Sequence, residues 1–189
     1  MTIEPIPAAQ RMADLVAAVP DEALDDRTPC PDYTVAGLLD HVHGFAKAFT
    51  SAARKDFEAL RERPGPGHAD RLSPGWRDEI PAALVGMARA WGEPGAQEGM
   101  TKAGGAEMPA EVVASVAVEE LVVHGWDLAR SVGLPFDPPE DDLAVAASLF
   151  EQVNGPNEVF GAPIQVDDGS ELDRVIGLSG RDPSWSRPA

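Results

Sequence analysis

"VVASVAVEELVVHGWDLAR", residues Val112 to Arg130, decides the fold. Laid out at about 100° per residue, Val113, Val116, Ala117 and Val123 occupy one side of a helix, and Val118, Leu121, Val122 and Leu128 cover much of the rest. A helix that is apolar nearly all round belongs at the centre of a helical assembly. Pro109 suits the first turn of this helix and Gly133 lies just past its end, so the pattern predicts a helix running to about Ser131.

Working outward, Met12, Leu15, Val16 and Val19 fall at helical spacing in a first helix over 8–19, which Pro20 ends. Thr34 is a fair N-cap for a second helix, in which Leu38, Leu39, Val42, Phe45 and Phe49 keep the 3.6-residue period. That helix is predicted to extend to about Arg63, where PGPGH breaks it. A third covers Trp76 to Trp91, with Pro81 near its first turn. A fifth begins in "PPEDDLAVAASLFEQV", where Glu140, Asp141 and Asp142 favour a helix N-terminus, and a short helical pattern follows around Leu172 to Leu178. The stretch "WGEPGAQEGMTKAGGAEMP" reads as a polar, Gly-rich connection. No alternating pattern is strong enough to build a sheet, and no internal repeat is present. The expected product is all-α: an antiparallel helix bundle over 1–153, with 154–189 as a tail packed on it rather than a domain of its own.

The chain has 189 residues, 15 Lys and Arg against 32 Asp and Glu, and a formal charge of −17. Such a balance repels nucleic acid and anionic membranes, so neither is expected as a partner. The single cysteine, Cys30, excludes an intramolecular disulfide and suits a reducing compartment. The N-terminal residues do not follow the signal-peptide pattern, and no run of about 18 apolar residues exists to span a membrane. A cytoplasmic protein is the expectation.

Against this background, Glu120, His124 and Asp127 stand out, because they fall among the apolar positions of the central helix. A lone buried carboxylate is costly unless something compensates it. Glu120 and His124 are four residues apart and share one helix face, so each can give one ligand to a metal without bending the helix. A catalytic Zn2+ site wants three protein ligands, which calls for one more from elsewhere. Of the four histidines, His68 lies in a polar loop, whereas His41 and His43 lie on the second helix. His41 borders the apolar stripe and shares a column with Gly37, Gly44 and Ala48, so it is the choice, with His43 as a supporting or interface residue. A self-satisfied Glu–His–Asp hydrogen-bond network is the competing reading of the same spacing.

Three segments, "TPCPDYTVAGLLDHVHG", "VEELVVHGWDLAR" and the terminal "GRDPSW", resemble helical proteins related to the metal-binding N-terminal domain of mycothiol-dependent maleylpyruvate isomerase, within the DinB-like superfamily. The resemblance implies an up-down-down-up four-helix bundle. It also implies a divalent metal, zinc above all with nickel or manganese as alternatives, held by His41, Glu120 and His124. Mycothiol as cosubstrate follows from the same resemblance, in an actinobacterial setting. The isomerase carries a second α/β domain, and here only a short tail follows the bundle, so its isomerase activity does not transfer.

Two functions are compatible with this reading. One is a metal-dependent S-transferase or isomerase using a low-molecular-weight thiol, in which the metal activates the thiol toward an electrophile. The other is a non-catalytic metal- or thiol-binding module that regulates or sequesters. A purely structural metal would need a fourth ligand, for which Asp127 or Glu119 is the candidate, although Glu119 points about 100° from Glu120. In the thiol reading Asp127 orients a ligating imidazole through its other ring nitrogen. Arg130 is read as an ordinary surface residue, Cys30 as a packing residue, and Trp76, Trp91 and Trp126 as core anchors. Trp185 is expected to pin the tail. A homodimer through the bundle faces is compatible with the fold.

Overall fold

A computed structural model describes residues 3–60, 66–153 and 161–187. Among these lie six α-helices and one small sheet, in the order α1 (Ile6–Ala18), α2 (Val35–Ala53), α3 (Trp76–Gly92), β1 (Met100–Ala103), β2 (Ala106–Pro109), α4 (Ala110–Val132), α5 (Glu140–Val153) and α6 (Glu171–Leu178).

The helix α4 is buried as its sequence requires, and it packs against α1, α2 and α5. On their other sides α1 and α2 both pack against α3. Met12, Leu38, Leu39, Ile80, Leu84, Met87, Leu121 and Leu128 are fully buried where these helices meet. Trp76 and Trp91 belong to this same core. Because α4 follows β2 directly, the Ala110 N–H is satisfied by the Gly99 carbonyl at 2.9 Å rather than by a side-chain cap. The helix ends at Gly133, whose φ of 72° is the left-handed C-terminal cap that glycine adopts without strain.

The start of α2 follows the sequence, with Thr34 Oγ1 accepting from the Gly37 N–H at 3.3 Å. Its end does not. The helix stops at Ala53, short of the predicted extension toward Arg63. Lys55 turns left-handed at φ 56°, and its Nζ donates to the Gly95 carbonyl at 2.8 Å. A long-range tie to the segment after α3 thus outweighs local helix propensity. The last part of the predicted helix, 61–63, lies outside the described residues.

A second correction concerns the Gly-rich connection, which contains the β1–β2 hairpin that an all-α reading omits. Gly104 and Gly105 have φ of 57° and 84°, the pair of positive values that a tight two-residue hairpin turn needs. Thr101 pairs with Met108 in the ladder. It is fully buried and donates its hydroxyl to the Ala52 carbonyl at 2.7 Å, which satisfies an end carbonyl of α2.

Beyond α5, Ser170 and Asp173 form a reciprocal capping box that starts α6, and α6 packs on α5. Among the described residues no helix is long and apolar enough to cross a membrane.

Candidate metal centre

Two helices and one loop bring the polar residues together. The packing of α2 against α4 faces His41 toward Glu120 and His124. His41 Nε2 lies 3.4 Å from Glu120 Oε2, and His124 Nε2 lies 3.2 Å from the same oxygen. One donor atom from each residue falls within 4.8 Å of the others, and His124 is buried while His41 and Glu120 are half-buried. A tetrahedral ion with bonds of about 2.0–2.2 Å separates its donors by roughly 3.3–3.5 Å. The donor set and its spacing therefore fit a divalent ion with one face left open. In its absence, protons must sit between the same atoms.

Below the triad, His124 Nδ1 donates to Asp127 Oδ2 at 2.9 Å. Asp127 is fully buried, and it also receives Arg181, whose Nη2 is 3.1 Å from Oδ2 and whose Nε is 3.3 Å from each oxygen. This arrangement directs the Nε2 of His124 at Glu120 and fixes the ring. It also occupies Asp127, which leaves it unsuited to serve as a fourth ligand. Arg181 was not legible as a site residue; its only sequence signal was its place in "GRDPSW" at the far end of the chain.

Electrostatics follow from these contacts. Burial acts to raise the Glu120 pKa, but the hydrogen bonds from His124 and His41 prevail and hold it well below the usual carboxylate range. Burial acts to lower that of His124, but its bonds to Asp127 and Glu120 outweigh this and push it up to about 9. For Glu119, burial and then the neighbouring charge of Glu120 push the carboxyl up to about 8.

Tyr33 completes the surroundings of His41. Thr28 Oγ1 donates within the preceding loop to the carbonyls of Cys30 and Tyr33, at 2.8 and 3.0 Å. The folded loop stacks the Tyr33 ring on His41 with centroids 5.1 Å apart, and Phe45 meets the same imidazole edge-on at 5.6 Å. The small residues beside His41 admit a loop rather than a helix. A Cβ on Gly67 would collide with the Gly37 carbonyl oxygen and lie 2.8 Å from the backbone nitrogen of His41.

The triad opens into a cavity of about 1110 Å3. Phe45, Phe49, Val116, Val123 and Leu149 give it apolar walls, and the hairpin residues Lys102 to Gly105 and the tail residue Arg181 also line it. Glu119 lines it too, so the expected 100° separation from Glu120 does not take its side chain away from the site. His43 lies on the cavity wall outside the donor cluster, and its pKa is lowered first by burial and then by Lys47. His68 is exposed in its loop. Cys30 reaches the wall, but burial pushes its thiol up, against the charge of Arg181, which disfavours a reactive thiolate. Arg130 donates to the Pro183 carbonyl and lies over the Trp126 ring, so it holds the tail. Trp185, expected to pin that tail, is only half-buried.

Comparison with known proteins agrees with this architecture. Two relatives from Mycobacterium tuberculosis strains, "Uncharacterized protein MT0763" and "Uncharacterized protein Rv0738", are each 29% identical over 167 residues, covering 84% of this chain and 86% of their own. No solved structure matches the chain. The model of the mycothiol maleylpyruvate isomerase N-terminal domain matches residues 7–129, which include His41, Glu120, His124 and Asp127 but not Arg181. The chain belongs to the mycothiol maleylpyruvate isomerase N-terminal domain family.

Proposed function

We propose that this protein binds a divalent metal ion, Zn2+ above all, through His41, Glu120 and His124, and uses it to activate a low-molecular-weight thiol, mycothiol, for transfer to or isomerisation of a small electrophile. One observation carries the reading: Glu120 Oε2 lies 3.4 and 3.2 Å from the Nε2 atoms of two histidines on different helices, beside a large cavity. The supporting frame is a four-helix bundle of the DinB-like up-down-down-up type, built from α1 to α4. The remainder of the chain, from about residue 154, is a tail belonging to the same unit.

Bound at these residues, the ion supplies Lewis acidity that favours the thiolate form of a thiol at neutral pH. The chain's own residues do the rest. His124 releases its Nε2 proton and keeps its Nδ1 proton directed at Asp127, while Arg181 donates to both oxygens of Asp127 and holds that carboxylate in place. Tyr33 and Phe45 hold the plane of His41. Phe49, Val116 and Val123 exclude water from the inner cavity, and Lys47 and Lys102 at its lining supply positive charge for an anionic group. The negative charge of the chain argues against nucleic-acid and membrane partners.

Elemental analysis of untagged protein, with His41→Ala and Glu120→Ala beside it, tests the reading. About one ion per chain, lost in both variants, is the expected result. A folded, metal-free wild type that takes up no ion on titration would leave a self-satisfied polar network instead. Tight thiol binding without turnover on any electrophile would favour the sequestering module over the enzyme.

A further inference from the structure

Glu119 is 3% exposed and lines the cavity beside the triad. Among the described residues no group donates to its carboxyl, whose oxygens meet the cavity rather than being sealed in the core. The cations around it are committed elsewhere: His124 bonds Asp127 and Glu120, and Arg181 spends Nε and Nη2 on Asp127 and its Nη1 on the Ser179 carbonyl at 3.3 Å. Val123, one turn along α4, is apolar, and Cys30 and Leu149 of the same cavity offer at most a weak donor. A carboxyl in this setting takes its hydrogen bonds from whatever fills the cavity, water or ligand. Sites built to hydrogen-bond one polar group of a ligand are left in this condition when that ligand is away, and they reject analogues lacking the group.

We infer that Glu119 selects the thiol, by accepting a hydrogen bond from an N–H that the ligand carries next to its sulfur. This rests on the thiol reading given above. Glu119 and Glu120 are neighbours on α4 and both line the cavity, so one small molecule carrying a sulfur and a nearby donor can meet both. Thiols of the cysteine type meet this requirement, since adjacent carbons bear their sulfur and their nitrogen. Either protonation state of Glu119 leaves an oxygen that accepts, so the selection does not depend on its charge. The residue is a specificity determinant; it takes no part in activating the sulfur.

Two probes that differ only at the donor test this: N-acetylcysteamine, and 2-mercaptoethyl acetate, in which oxygen replaces the N–H. Their affinities for the zinc-loaded full chain are measured by titration calorimetry, with zinc content checked before and after. Wild type is expected to prefer N-acetylcysteamine by about tenfold or more, the scale of one well-made hydrogen bond. In Glu119→Leu the preference is expected to fall to near unity, with zinc retained. Equal binding of both probes to wild type, or a preference that survives in Glu119→Leu, overturns the role of Glu119 and leaves the thiol reading standing. Binding of neither probe to fully zinc-loaded wild type overturns the thiol reading, and this inference with it. The wild-type comparison holds even if the variant fails to fold.

Discussion

Arg181, from the chain's last segment, grips Asp127 in the middle of α4, with Nη2 3.1 Å from the carboxylate oxygen that also receives His124. The Arg181 side chain is 14% exposed and that of Asp127 is fully buried. Removing one partner of such a pair leaves a buried charge uncompensated. Arg181→Met is therefore expected to cost about 3 kcal/mol, the low end for a broken buried pair because His124 remains on Asp127. Urea unfolding measures this. Asp127→Asn, which frees the His124 tautomer, is expected to weaken metal binding by about 10–100-fold in chelator competition. Unchanged affinity in both variants would mean that the tail and the donor triad are independent.

A buried hydroxyl ties the hairpin to the end of α2, Thr101 to the Ala52 carbonyl at 2.7 Å. Thr101→Val keeps the shape and removes the donor, so an end carbonyl of α2 loses its partner. A loss of about 1–2 kcal/mol is expected in the same unfolding assay. Since Lys102 to Gly105 line the cavity, amide exchange across the hairpin is expected to quicken in this variant, while exchange in α4 stays slow.

Gly67 sits where a Cβ would meet backbone, colliding with the Gly37 oxygen and lying 2.8 Å from the His41 nitrogen. Backbone cannot step aside as a flexible side chain can. Gly67→Ala is expected to lift its loop off α2 and to destabilise by about 1–3 kcal/mol, the usual cost of overpacking. The metal site feels it through His41. A variant as stable as wild type would show that the loop can leave at no cost.

The central helix and its polar face were legible because they rest on local spacing. Val113 to Leu128 show an apolar surface all round, and Glu120 and His124 share a column. What escaped depends on partners remote in sequence. The end of α2 is set by Lys55 reaching Gly95, and the hairpin by two glycines and one buried threonine rather than by alternating hydrophobics. Arg181 lies 54 residues from Asp127, and no periodicity links them. Tyr33 stands in a segment read for its N-cap and its family resemblance, neither of which points to a ring stacked on His41. Glu119 looked turned away on an ideal wheel, yet it lines the cavity, whose walls are completed by α2, the hairpin and the tail, elements remote from it in sequence.

As pH rises, the metal-free protein is expected to lose stability while the stabilisation added by metal grows. Without metal, His124 is pushed from 6.5 up to about 9, its opposing burial outweighed by Asp127 and Glu120. Glu119 is pushed from 4.5 up to about 8, chiefly by burial. Both groups then hold more protons folded than unfolded, so stability falls as pH rises: from about 4.5 to 8 for Glu119, and from about 6.5 to 9 for His124. Glu120 is held low by its two histidines after burial is overcome, and it contributes in the other direction only in acid. Metal binding requires His124 to give up its Nε2 proton, so affinity climbs over the same range in which the metal-free protein weakens. Melting temperatures measured between pH 6 and 8.5, with chelator and with equimolar Zn2+, are expected to diverge, the chelated curve falling and the zinc-induced increment growing. A chelated protein whose melting temperature rises steadily over that range would falsify the protonated bridge between His124 and Glu120, and with it the view that the cluster is a cation site holding protons when the ion is away.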